Sequence, residues 1–140
     1  MTMSISSESK EIIVKEIDFV IDKMKQTSDP EEKLFYFSAI YAMVQRILNI
    51  EYDSELICIY TILRDTFNTF IQRIKAIKTG DTTIPFAEKQ MNKLEDFTKE
   101  LLDKIRNDEN LDDTLKKFII LYYSTTGNGY YLLQKGLLKL

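Results

Sequence analysis

Cys58 is the only thiol in the 140 residues, and the chain contains no histidine to activate it. A cysteine nucleophile needs its pKa lowered by a neighbouring base, a cation or a helix N-terminus. Without histidine there are no Ser-His or Cys-His pairs, no ordinary zinc sites and no Glu-x-x-His arrangement of the di-iron bundles. No glycine-rich phosphate loop and no calcium-loop spacing is present. Asp108, Glu109, Asp112 and Asp113 form an acidic turn that reads as helix capping. The residue types therefore argue against an enzyme and call for no cofactor or metal. Cys58 reads as a small apolar residue on a secondary packing face.

Three other groups could do binding chemistry. Arg46 stands near the end of an apolar run, where its guanidinium can snorkel, pair with Glu51 or clamp an anion. Arg64, Arg73, Lys75 and Lys78 bias the later half of one helix towards positive charge. With Tyr60 and Phe67 beside them they could touch phosphate or stack a base. However, Asp65 interrupts the set, and cations near a helix C-terminus already have a dipole reason to be there. The tyrosines Tyr36, Tyr41, Tyr60, Tyr122, Tyr123, Tyr130 and Tyr131 exceed what an aliphatic core needs. A Tyr ring suits half-wet places, because its hydroxyl wants a partner. Tyr122-Tyr123 and Tyr130-Tyr131 flank one Gly-Asn-Gly turn, and Tyr41 lies on the most apolar helix. These residues are the candidate walls of a ligand pocket or binding surface, with core-edge packing as the plainer reading.

The elements that must position these groups are helical. Four Gly and two Pro leave little punctuation, which favours long helices over many β-turns. A first helix is expected over 8–26, capped by Ser7 or a neighbour, with Ile13, Ile17, Val20, Ile21 and Met24 on one face. Ile12 and Phe19 fall off that face. Asp29-Pro30 opens a second helix, with Glu32 at capping-box spacing. Its stretch Leu34–Leu48 is apolar nearly all round, with only Ser38 strongly polar from Leu34 through Val44, which predicts neighbours on several sides and a place at the bundle centre. A third helix spans about 54–78, closing at Gly80. Leu56, Tyr60, Leu63, Phe67, Phe70, Ile74 and Ile77 make its core face. Cys58 and Ile62 lie off that stripe beside Thr66. Pro85 starts a fourth helix, 85–107, with Ala87, Met91, Leu94, Phe97, Leu101 and Ile105 facing in. Asn110 caps a fifth.

The end of the chain reads in two ways. Phe118–Tyr123 is β-rich in type, and Asn128-Gly129 is a hairpin turn signal. A β-hairpin at 118–134 therefore competes with a helix-turn-helix. A lone hairpin is marginal without a third strand or a packing surface, so helix is preferred.

The fold class expected is all-α: an up-and-down bundle of four long helices plus a C-terminal helical element. The division is a loose tail over 1–7 and a single domain over 8–140. Net charge is −3 with mixed signs, which disfavours nucleic acid and anionic lipid as partners. One cysteine, no secretion signal and no apolar run of membrane-spanning length suggest a cytoplasmic protein. The off-face set Ile12, Phe19, Cys58 and Ile62 suggests a non-enzymatic interaction or scaffolding module, forming a homodimer or binding a protein partner. A small-ligand bundle with a Tyr-lined pocket is the alternative, and weak nucleic-acid contact through the basic stretch comes after it.

Overall fold

A computed structural model describes residues 3–80 and 88–140. Six helices follow in order: α1 (Ser7–Lys25), α2 (Pro30–Leu48), α3 (Ser54–Thr79), α4 (Glu88–Arg106), α5 (Asp112–Ser124) and α6 (Gly127–Gln134). Ser6 caps α1 by accepting from Ser9 N, and Asp29 caps α2 by accepting from Glu31 N, with Pro30 in the first turn. Glu32 does not close the capping box back onto Asp29. It accepts from the Thr27 hydroxyl at 3.0 Å, while Thr27 Oγ1 accepts from Asp29 N. Asp53 caps α3, and Gly80 ends it in the left-handed region at φ 75°. Asn110 Oδ1 accepts from Asp112 N at 2.8 Å and serves the first turn of α5. Pro85 and Ala87 lie outside the described residues.

The helices close a ring. α1 packs between α2 and α4, α3 between α2 and α5, and α4 and α5 complete the circle. The main partners of α4 are thus α1 and α5 rather than α3, its predecessor in sequence. Ile13, Ile17, Val20, Ile21 and Met24 of α1 all point into the core. Phe118 of α5 sits at the centre of the ring, with ring centroids 6.3 Å from Phe37 of α2 and 6.0 Å from Phe97 of α4. Lys33 of α2 donates to the Met24 carbonyl at 2.8 Å and pairs with Glu95 of α4, tying three helices together at one end.

This order corrects the expectation for Leu34–Leu48. The stretch forms one wall of the ring and does not occupy its centre. Leu34, Phe37, Ile40, Val44 and Ile47 are buried, while Phe35 is 68% exposed and Ala42 and Arg46 also face out. The helix looks apolar all round because its outer face carries Phe35 and Ala42. The core face of α3 is also displaced from the expected one: Ile59 and Thr66 are buried, Tyr60 and Phe67 are half-buried, and Ile77 is exposed. Thr66 tolerates burial because its hydroxyl donates to the Ile62 carbonyl at 2.7 Å, which satisfies it within the helix.

Among the described residues there is no strand, and the hairpin alternative at 118–134 is overturned. Thr126 caps α6 by accepting from Gly129 N at 3.1 Å, so Gly127-Asn128-Gly129 forms the first turn of a helix. No described helix is long and apolar enough to cross a membrane.

Candidate functional site

The candidate surface is the outer side of α1. Lys10 and Asp18 mark the flank of α1 that meets α4, through Asp108 and Arg106 respectively. Ile12 and Phe19 lie on the other flank, towards α2, seven residues and two helical turns apart. Ile12 is 43% exposed and Phe19 is 54% exposed. Lys23 Nζ stands 5.6 Å from the centre of the Phe19 ring. On α2 the exposed Phe35 meets Tyr36 edge-on at 5.5 Å. Tyr41 reaches α3, so the opposite flank of α2, carrying Tyr36, Ala39 and Met43, borders α1. All three are half-buried. The result is an apolar strip along the outside of the α1–α2 pair. The near-continuous apolar run of α2 hides Phe35 as a surface residue. Its helical position alongside Ala42 and Arg46, opposite Phe37 and Val44, was the available signal.

Cys58 and Ile62 do not join this strip. Cys58 is exposed and Ile62 half-buried. Tyr60 and Phe67 turn towards α2, where Tyr41 lies 6.1 and 5.8 Å from their rings. Cys58 and Ile62 lie on the opposite flank with Asp65, which acts on Tyr122 of α5. Two walls of the ring thus separate them from Ile12 and Phe19.

The basic stretch does not gather on one face either. Arg64 stacks over Tyr60 at 5.3 Å and approaches Asp65 at 3.6 Å. Lys78 pairs with Glu31 of α2, whose hydrogen bond holds the ammonium pKa up. Lys75 is exposed, whereas Arg73 falls on the flank towards α5. Arg46 is exposed and does not take Glu51, whose carboxylate is engaged elsewhere.

The tyrosines divide between two places. Burial pushes the Tyr41 hydroxyl pKa up, Tyr60 adds to the rise and Arg64 opposes it. Burial and Asp65 raise that of Tyr122. Tyr130 accepts from Gln134 Nε2 at 3.0 Å, and Tyr131 is 57% exposed with Lys135 beside its ring. α6 packs back on α5, with Gly129 against Tyr123. Two surface clefts lie elsewhere. One of about 180 Å³ involves Met3, Ile5, Lys10, Lys104, Asp108 and Leu111. The other, about 200 Å³, has Phe97, Ile120 and Leu140 below a rim of Lys93, Lys117 and Lys139. Neither is lined by Tyr41, Tyr122, Tyr123, Tyr130 or Tyr131. Among the described residues no three His, Cys, Asp or Glu side chains converge as a metal site would need.

Within the expected tail, Ser4 and Ser6 lie against the α2–α3 link. Ser4 N donates to Asp53 Oδ2 at 2.7 Å, and Ser6 N and Oγ donate to Glu51, each at 2.8 Å. Ser9 Oγ also donates to Glu51. These bonds hold the Glu51 carboxyl below the usual range. Glu55, in the first turn of α3, is only 4% exposed, and its Oε1 has no hydrogen-bond partner among the described residues. Burial raises its pKa, and Asp112 nearby adds to the rise.

In comparison with known proteins, no family model, curated protein or solved structure matches the chain.

Proposed function

We propose that this chain is a non-enzymatic interaction module that self-associates through the apolar strip outside α1 and α2, acting in the reducing interior of the cell. The observation that carries the reading is the joint exposure of Ile12, Phe19 and Phe35 on one side of a bundle whose core is complete without them. Large apolar side chains grouped on one side of a small domain favour burial against another surface. The absence of histidine favours a binding role over catalysis. A strip this narrow sits at the small end of stable interfaces, so the dimer should dissociate in the micromolar range. Sedimentation equilibrium of Phe19→Glu tests the reading. The variant should sediment as a monomer under conditions where wild type is a dimer, while Cys58→Asp, on the separate α3 flank, should leave the dimer intact. Equal loss in both variants, or no loss with Phe19→Glu, would refute it.

A further inference from the structure

Resting on that reading, we infer that the partner is a second copy of this chain seated antiparallel along α1, with the two-fold axis passing between Lys15 and Glu16. The residues on the outward flank of α1 run Glu8, Ile12, Lys15, Glu16, Phe19 and Lys23. At 100° per residue all six fall within one face of the helix. The face is acidic at one end, apolar in the middle and basic at the other. Reversing it about its midpoint places Ile12 against Phe19 of the second copy and Phe19 against the second copy's Ile12. The same reversal sets Glu8 opposite Lys23 and Lys15 opposite Glu16, each twice by symmetry. An isologous contact requires this self-complementarity, and a parallel arrangement would oppose like charges instead. The bordering flank of α2 carries Tyr36, Ala39 and Met43, and one turn before Tyr36 it carries Glu32, whose carboxylate accepts from Thr27, so along the apolar stretch the charges of α1 set the pairing. Lys23 already lies over the Phe19 ring, next to where Glu8 of the second copy would arrive. Lys15 now pairs with Glu11 at 3.0 Å on its own helix and exchanges that exposed partner for Glu16 across the axis.

Two measurements on the whole chain test the arrangement. In the first, Glu8→Lys alone and Lys23→Glu alone should each weaken the dimer by about three- to tenfold, since each turns two attractive pairs repulsive, and the double variant should regain wild-type affinity. In the second, a Cys58→Ser background removes the natural thiol. Mixed Ile12→Cys and Phe19→Cys chains should then form a disulfide with each other far faster than either forms one with itself. A dimer that ignores both the charge exchange and the mixed cysteines would overturn the antiparallel seating and leave self-association standing. A strict monomer at every concentration would overturn both.

Discussion

Gly129 sits so close to Tyr123 that a Cβ built on it would stand 1.8 Å from the Tyr123 carbonyl oxygen. Glycine is needed here for the close approach of two backbones, since the residue is helical and not in a turn. Gly129→Ala should destabilise the protein by on the order of 1–3 kcal/mol through overpacking. The sign is informative, because alanine in an unobstructed helix would stabilise by about 1 kcal/mol relative to glycine. Urea unfolding, read as a lower midpoint at unchanged slope, checks it.

Phe118 joins three walls of the ring through Phe37 and Phe97 and is fully buried. Phe118→Ala should cost about 3–5 kcal/mol, and Phe118→Leu, which refills part of the space, distinctly less. Both should appear in chemical denaturation. Loss of the same size from Tyr123→Ala, at the exposed end of α5, would mean that Phe118 is not the keystone described.

Glu51 and Glu55 should act on stability with opposite signs. The folded-state pKa of Glu51 is depressed by the hydroxyls of Ser9 and Ser6 and the Ser6 amide. It therefore contributes stability above its unfolded pKa, and loses it as pH falls below about 4.3 and through the folded value. The folded-state pKa of Glu55 is raised by burial, so its ionised form is a penalty at neutral pH that protonation relieves. At pH 7, Glu51→Gln should lower the melting temperature and Glu55→Gln should raise it. Both differences from wild type should shrink as the pH is taken into the acid range. Differential scanning calorimetry across pH makes the comparison.

Asp108 occupies a position usually given to glycine. Its φ is 53°, it follows α4, and the hydrogen bonds Asp108 N to Ile105 O and Glu109 N to Lys104 O close the helix end around it. Its carboxylate lies 2.8 Å from Lys10 Nζ, largely exposed. Asp108→Ala keeps the Cβ strain that the aspartate already bears and loses only the exposed ion pair and the aspartate's milder cost in the left-handed region, so it should cost less than about 1 kcal/mol. Asp108→Gly removes the strain along with the pair, which is worth only a few tenths of a kcal/mol. It should match or exceed wild-type stability in urea.

The long helices were legible in the sequence because their periods and caps are local. Ile13, Ile17, Val20, Ile21 and Met24 lie on one face whatever surrounds α1. Asp29-Pro30 and Gly80 mark their helix ends through their own backbone preferences. The end of the chain was less legible, because Phe118–Tyr123 favours strand by residue type and Asn128-Gly129 mimics a hairpin turn. The outcome rests on the Thr126 cap and on the fit of Gly129 against Tyr123, and the second of these is a tertiary contact. The surface was half legible. Ile12 and Phe19 stand out as apolar residues that the period of α1 leaves over. That Cys58 and Ile62 belong to a different side follows from α5, and not α4, packing beside α3, and no residue pattern within α3 carries that order.

Light scattering of the wild-type chain across a concentration series tests the central claim of self-association most directly. The account predicts a mass rising through the micromolar range from 16.5 kDa towards twice that value and going no higher, as a closed two-fold requires. A mass fixed at that of one chain at all concentrations would contradict it. So would growth past two chains without a plateau, because an isologous α1 contact leaves no second strip for a third copy.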